Sequence, residues 1–572
     1  MSKTLRSIWV AALLLVTTLV SAQVTTSGMS GKLTDEAKEA IIGAVVNAVH
    51  TPSGTRYGAV TNEDGRFYIH GMRPGGPYEV KITYMGFKPK SVKGITLELG
   101  ETYNMNIVIN EDTKDLDELV VVGSSSKFAG EKTGASTNIS NAQLESMPTI
   151  SRSITDITRL SPYGGNGMNF AGVDGRTANF TVDGANFNNN FGLSDGLPGG
   201  GSPISIDAIE ELQVVISPFD VRQTNFIGGG VNAITKSGTN KFKGTAYVHH
   251  HNENMRGDVV YGQTIPGARD RDRSTTYGAT FGGPIIKDKL FFFANAEYEA
   301  SPSVAVRWRP SVDGKGSEEQ YLSYTTVADM ERVQEFAKQK YGYDTGSFTD
   351  FPADESNLKL LARVDWNIND RNKLALRYNY TKNTAWNAPN VSSMDGGERS
   401  AFGRTSLYSM PFANSMYSMN NLVHSATLDL NSRITNNLSN QFLATFSKLD
   451  DVRGSNSSEF PFIDIHDGTN TTTQYMALGY ELFTWNNAVH NTVFNIKDDI
   501  TYYNGNHKFM AGISYEYQMA DNQYMRNGTG YYRYRSVDDF INGATPEVVC
   551  LTYGYDGETA PAARVRFHKL GV

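Results

Sequence analysis

The sequence holds a single cysteine, Cys550, in 572 residues, which excludes a disulfide framework and any four-cysteine zinc site. It has no basic excess either. The 52 lysines and arginines against 60 acids leave a formal net charge of −8, and a pI near 5.8 lacks the electrostatic footprint of a nucleic-acid binder. No apolar run reaches the ~18 residues of a membrane-spanning helix, and the mean hydropathy is −0.39. This excludes a helical membrane bundle. It does not exclude a membrane barrel, whose apolar residues alternate with polar ones and never form a run. A nucleophile elbow, an H-E-x-x-H zinc helix and a Walker loop are also missing. The chain is therefore read as a non-enzyme, with no catalytic residue, metal or cofactor assigned.

Glycine is plentiful, 55 residues, about 10% against a usual ~7%. At the N-terminus Lys3 and Arg6 precede a largely apolar stretch from Ile8 to Val20, and Val20-Ser21-Ala22 supplies small residues for a signal peptidase. Residues 1–22 are read as an export signal, too short to span a bilayer, with the mature chain starting at Gln23. Residues 23–110 follow as short alternating segments, among them Gly43–Ala48, Phe67–His70 and Tyr78–Tyr84, broken by Asn62-Glu63-Asp64-Gly65 and Pro74-Gly75-Gly76-Pro77. Strands at this spacing define a small β-sandwich. Asn62, Glu63 and Asp64 lack EF-hand spacing, so a tight hairpin turn is preferred to a calcium loop. The Thr61–Phe67 run, with Gly43–Val46 before it and Tyr84–Phe87 after, resembles the carboxypeptidase-regulatory-like sandwich.

A charged linker, residues 111–126, contains Asp117, Glu118, Leu119, Val120, Val121 and Val122. Three valines between acids and a Gly-Ser tract suit an extended segment that adds itself to a partner's sheet edge. Residues 127–238 are rich in glycine and asparagine and carry IDAIEELQVV (206–215) and GGGVNAITKSG (228–238). The second is not a phosphate loop, because Thr235 stands where its second glycine must be.

Beyond Lys241, segments of about ten residues alternate strictly. Leu358, Leu360, Ala362, Val364, Trp366 and Ile368 share one face, opposite Lys359, Arg363, Asp365 and Asn367. Leu374, Leu376, Tyr378 and Tyr380 repeat the parity, as do Leu290–Tyr298 and Phe509–Tyr517. Nine strands are expected, near 241–250, 274–282, 290–299, 358–368, 373–381, 424–434, 438–447, 492–503 and 508–518. Connections at 283–289, 369–372, 435–437 and 504–507 are short, and those at 251–273, 300–357, 382–423 and 448–491 are long. Short turns on one rim and long loops on the other are the plan of an outer-membrane barrel, with lipid outside and water inside. In the His249-His250-His251 run, His249 and His251 share a face with Tyr247 and would then line the lumen wall, without a third ligand for a metal.

Sandwich, valine-rich acidic box, Gly/Asn-rich module and barrel, in that order, resemble a TonB-dependent outer-membrane receptor of the Oar-like branch. The fold expected is mainly β: a small β-sandwich, an α+β plug (127–238), and the N-terminal part, about nine strands, of a transmembrane antiparallel β-barrel (239–572) that is 22-stranded when complete. The resemblance implies that Asp117–Val122 is the TonB box, captured by the TonB-type inner-membrane energy-coupling complex. It implies a Gram-negative outer membrane, lipid around the barrel, and powered import of an extracellular ligand. At roughly 73 residues per hairpin, 22 strands need roughly 800 residues, whereas 332 remain from Lys241. The chain is therefore expected to be a fragment or a truncated product. Phe187, Asn188, Asn189, Asn190 and Phe191 are candidate ligand contacts, since their rings and amides would suit a polar ligand. In the 300–357 connection a helix capped by Thr326, with Val327, Met330, Val333, Phe336, Ala337 and Tyr341 at helical spacing, is a lid candidate. Two other readings stay open, an adhesin or surface-organisation protein and a glycan importer working with a surface lipoprotein.

Overall fold

A computed structural model describes residues 24–111, 119–122 and, apart from short segments of which 394–401 is the longest, 134–572. The export signal (1–22), Asp117, Glu118, Asn189 and Asn190 lie outside the described residues. Among the described residues no helix is long and apolar enough to cross a membrane.

Alternation builds the first module. Strands β1 (Ser27–Thr34), β2 (Val45–His50), β3 (Thr55–Val60), β4 (Arg66–Met72), β5 (Gly75–Thr83), β6 (Lys90–Leu97), β7 (Thr102–Asn104) and β8 (Ile107–Val108) form two sheets. One runs β4-β1-β7 with β8 on β1, and the other β3-β2-β5-β6. Their inward residues, including Leu33, Val46, Phe67, Ile82, Val92 and Ile95, bury one core between them. The Asn62–Gly65 turn is not a hairpin as expected, because it carries the chain from β3 in one sheet to β4 in the other. Asn62 Oδ1 accepts from the amides of Asp64 and Arg66, and Gly65 takes φ +72°, so the side-chain oxygen closes a turn. The second sheet continues past the sandwich: β9 (Leu119–Val122) pairs in parallel with β6.

The plug is a five-stranded sheet of β10 (Gly134–Ser140), β11 (Asn179–Val182), β12 (Ala185–Asn186), β13 (Ile209–Pro218) and β14 (Gly230–Thr235), ordered β10-β13-β14-β11-β12. Short helices at Asn141–Ser146 and Ile154–Thr158 pack Leu144, Ile154 and Ile157 into its core. The glycine run at 228–230 has a steric cause. Gly228 adopts φ +93°, and a Cβ on Gly229 would stand 2.6 Å from the Phe170 ring.

Ten strands then form one antiparallel sheet in chain order: Lys243–His251, Ser274–Ile286, Leu290–Ala300, Ser356–Asn367, Asn372–Asn387, Tyr417–Arg433, Leu438–Gly454, Ala488–Asn504, His507–Gln523 and Ala562–Gly571. This is one more than the nine read from sequence. Ala562–Gly571, whose pattern lacks an aromatic close, pairs with His507–Gln523 over ten residues. Polarity is inverted relative to a soluble domain. Leu360, Trp366, Leu376, Tyr378, Phe509 and Ile513 face outward, while Lys359, Arg363, Asp365 and Arg377 face the plug. Alternation explains this, since successive side chains point to opposite faces and lipid accepts only one set. Strands of 17 residues at roughly 3.3 Å each, tilted near 40°, rise roughly 40 Å, beyond a hydrocarbon core of about 30 Å.

The long connections are folded. Met410–Pro411, Gln474–Leu478, Phe462–His466, Tyr531–Tyr534 and Val548–Cys550 form a sheet in that order. Helix Val327–Tyr341, with Thr326 Oγ1 accepting from the Asp329 amide as the sequence suggests, packs Met330, Val333 and Ala337 against it with Met410, Phe412, Ile465 and Phe540.

The lipid-facing assignment of Leu360 is testable. Leu360→Lys is expected to destabilise insertion by about 2 kcal/mol or more, read as a lower urea midpoint on refolding into lipid vesicles. Leu360→Phe should leave the midpoint unchanged.

Candidate functional site

The sequence pattern sends charged residues to the inner barrel face, and the plug decides what they meet. Arg363 donates from Nη1 to the Thr235 carbonyl at 2.8 Å and to Thr235 Oγ1 at 3.0 Å, and pairs with Asp183 at 3.4 Å. Arg377 Nε lies 3.3 Å from the other Asp183 oxygen, and Arg377 Nη2 donates to Ser425 and Thr427 on the next barrel strand. Asp183, held at φ +44° in the turn between β11 and β12, also accepts from the amide and hydroxyl of Thr235. The plug carboxylate thus sits between two barrel guanidiniums.

Asp365 joins a third module. It accepts from Arg363 at 2.9 Å within the barrel wall and from Ser237 Oγ of the plug at 2.5 Å, and pairs with Arg73 of the sandwich at 3.2 Å. A second anchor lies across the wall, where Glu297 accepts from Lys359 Nζ (2.8 Å), Tyr247 OH (2.7 Å) and Ser205 Oγ of the plug (2.8 Å). Thr381 and Asn379 donate to the Pro203 carbonyl. The plug therefore meets this wall largely through hydrogen bonds and ion pairs, with Phe293, Leu361, Val423 and Leu449 as the apolar contribution of the wall to its core.

The sandwich closes the short-turn side. Tyr68 stacks on Tyr503 at 4.1 Å and donates to the Gly505 carbonyl, His70 stacks on the same ring, and Asn367 donates to Thr55. Thr25, before β1, donates to Asp429 at 2.6 Å. Against the plug, Glu211 accepts from the Leu99 amide at 2.8 Å and from Asn138, while Asn138 and Gln213 donate to the Leu99 carbonyl. Burial pushes the Glu211 carboxyl up to about 8, more than its two hydrogen bonds pull it down. Burial likewise holds His50 and His70 down to about 3, so both are neutral at physiological pH. A cavity of about 810 Å³ remains between the three modules, lined by His50, Arg73, Asp183, Glu210, Arg363 and Asp365 among others. Arg73, Asp183, Arg363 and Asp365 are paired there across the three modules. Its chemistry is that of a junction.

The candidate ligand contacts separate. Phe187 is buried in the plug core, edge-on to Phe180, and Asn188 is buried, accepting from the Phe180 amide and donating to Asn179. Phe191 is exposed and stacks on Phe567 at 6.0 Å. The structure does not bring these residues together on one surface. His250 bonds Thr275 on the neighbouring strand, and His251 lies 3.8 Å from Asp272. Of the box residues, Leu119–Val122 form β9.

Sequence reasoning missed the long-loop module's own anchor. Arg404 and Asp464, both fully buried, form a two-pronged pair at 2.9 and 2.7 Å, and Tyr531 OH donates to the same carboxylate. No local pattern marks that pair. Asp183 and Glu211 stand on or beside plug strands of regular pattern, and the only available signal was a charge on a buried strand face.

Comparison with known proteins agrees with this geometry. Residues 28–110 match the carboxypeptidase regulatory-like domain, and residues 234–306 and 330–559, over half the chain, match the outer membrane beta barrel domain. The TonB-dependent transporter Oar of Myxococcus xanthus is 25% identical over 345 residues, 56% of this chain and 30% of that protein. TonB-dependent receptor P3 of Formosa agariphila is 27% identical over 150 residues, 26% of this chain and 14% of that one. The outer membrane transporter YddB from Escherichia coli shares the fold at a TM-score of 0.50 and 13% identity, over 76% of this chain and 52% of that one. The chain belongs to the outer membrane β-barrel family, among the TonB-dependent receptors. It spans about a third of the length of Oar and about half that of YddB.

Two outcomes follow. Asp183→Asn keeps the side-chain shape and tolerates the same backbone, yet leaves the buried Arg377 without a carboxylate while Arg363 keeps Asp365, so the seating of the plug is expected to weaken by about 3 kcal/mol. Faster hydrogen exchange of the 230–235 amides reads this. Glu211 ionises more readily when the sandwich leaves the plug, so docking is strongest below the usual carboxyl value of 4.5 and weakens as pH rises towards about 8. The protection factor of the Leu99 amide should fall across that window, and Glu211→Gln should flatten the dependence.

Proposed function

We propose that the protein serves as a receptor and importer, which binds a ligand at the cell surface and admits it across the outer membrane by displacement of the plug under force from a TonB-type inner-membrane complex. Residues 1–22 direct export, and Asp117–Val122 is the segment the complex grips. The observation that carries this reading is the polar seat of the plug on the wall strands, with Asp183 between Arg363 and Arg377 and Ser205 on Glu297. Contacts of this kind exchange for water at little net cost, because each protein hydrogen bond is replaced by one to solvent. The plug meanwhile keeps its own apolar core. A plug held this way can be shifted as a unit and can return.

Ligand entry falls to the long-loop module and to plug surfaces beneath it. Of the Phe187–Phe191 segment, Phe187 and Asn188 are buried and Phe191 is exposed, so Phe191 is the described residue open to a ligand. No reacting centre takes part, since transport needs binding and displacement only. The kinship of Oar, named a TonB-dependent transporter, supports energy coupling over passive diffusion.

The test uses the full-length receptor. Material co-purifying with it is identified and labelled, and its uptake and surface binding are measured in cells carrying the receptor with and without residues 117–122. Uptake should fall to the level of cells lacking the receptor while surface binding persists. Unchanged uptake on deletion would remove the proposal.

A further inference from the structure

The second sheet of the sandwich ends on a strand that belongs to the linker. β6 would be an edge, but β9 covers it, with Lys90 opposite Leu119, Ser91 opposite Val120, Val92 opposite Val121 and Lys93 opposite Val122. Among the described residues β9 is the last strand of the order β3-β2-β5-β6-β9. The segment assigned above as the box is thus already extended and paired on one side. In a ladder the N–H and C=O groups of successive residues address alternate neighbours, so one partner uses only half of a strand's backbone groups. The other half of β9 faces away from β6.

We propose that the sandwich presents Leu119–Val122 as a preformed edge strand, and that the coupling protein binds by adding a strand of its own to the outer edge of β9, with β9 kept on β6. This rests on the box assignment above and goes beyond it, because it makes the N-terminal domain part of the docking platform. The physical choice is between addition and exchange. An incoming strand pairs with one side of β9 in either case. Exchange first breaks the β6 ladder, exposes the β6 edge again and returns four residues to the unfolded ensemble, with no extra partner contact in return. Addition keeps the ladder and uses a strand whose ordering cost is already met. The chain before β9, Glu111–Glu118, carries five acids and one lysine, so the strand that fits is one flanked by basic residues. Eleven residues separate Val122 from β10, a reach of roughly 36 Å. A pull on the box therefore loads the sandwich before it loads the plug.

Hydrogen exchange on the unsubstituted full chain in detergent tests this, alone and with the soluble periplasmic domain of the coupling protein. Before addition, the amides of 119–122 should exchange about tenfold more slowly than in a free peptide. With the partner they should slow by about tenfold again, while those of 90–93 stay protected. Free-peptide exchange at 119–122 in the chain alone, or faster exchange at 90–93 on binding, would overturn the proposal. A second measurement uses Lys93→Cys/Val122→Cys in a Cys550→Ser background. The oxidised, cross-linked chain should bind the coupling domain within about threefold of the reduced chain, and a tenfold loss on oxidation would show exchange. A synthetic peptide of residues 115–124 separates the two readings. If the coupling domain binds neither peptide nor chain, the box assignment falls and this inference with it. If it binds the peptide while the chain shows either overturning pattern, only the platform falls.

Discussion

Asp365 is the point on which the three inner modules depend. Its carboxylate takes Arg363 from its own strand, Ser237 from the plug and Arg73 from the sandwich. A charge in this position is costly unless opposite charge and hydrogen-bond donors surround it, and removal of one partner leaves the others unpaired. The neighbouring Asp183 obeys the same rule with Arg363 and Arg377. Because Arg363 serves both carboxylates, wall, plug and sandwich are set in one register by one guanidinium.

The bilayer forces this arrangement. Lipid requires the outer face of each strand to be apolar and every backbone group to be paired, so charge can gather only on the inner face. Once there, it must be matched by the plug, because Lys359, Asp365 and Arg377 are all buried and a buried charge without a partner is costly. The seat is therefore ionic where a soluble domain interface would be apolar. A seat of that kind gives the plug a defined position, which suits the displacement proposed above.

The same economy of one charged residue per junction recurs beyond the membrane. In the long-loop module Arg404 and Asp464 tie separate connections together beneath Phe462 and Tyr531. On the short-turn side Glu211 binds the sandwich through Leu99 in a site dry enough to push its carboxyl up to about 8. Both long-range pairs join segments that the chain itself keeps apart.

The range of each interaction decides how legible it is in the sequence. Period-2 alternation is written in neighbouring residues, so the barrel strands, their lipid faces and the helix capped by Thr326 were legible, and parity alone put Lys359, Arg363, Asp365 and Arg377 on the inner face. The strand at Ala562–Gly571 was missed because its outward positions are not uniformly apolar, and only its pairing with His507–Gln523 defines it. Phe187 and Asn188 looked like surface aromatics and amides, yet the β11–β12 turn folds them back into the plug core. By itself, then, the sequence determined the modules, their order and the polarity of each strand face, because those depend on local patterning and on what lipid and water accept. Only the tertiary structure decided which carboxylate meets which guanidinium, that a linker strand completes the sandwich sheet, and that the long loops share a core, because such pairings depend on distances between segments remote in the chain.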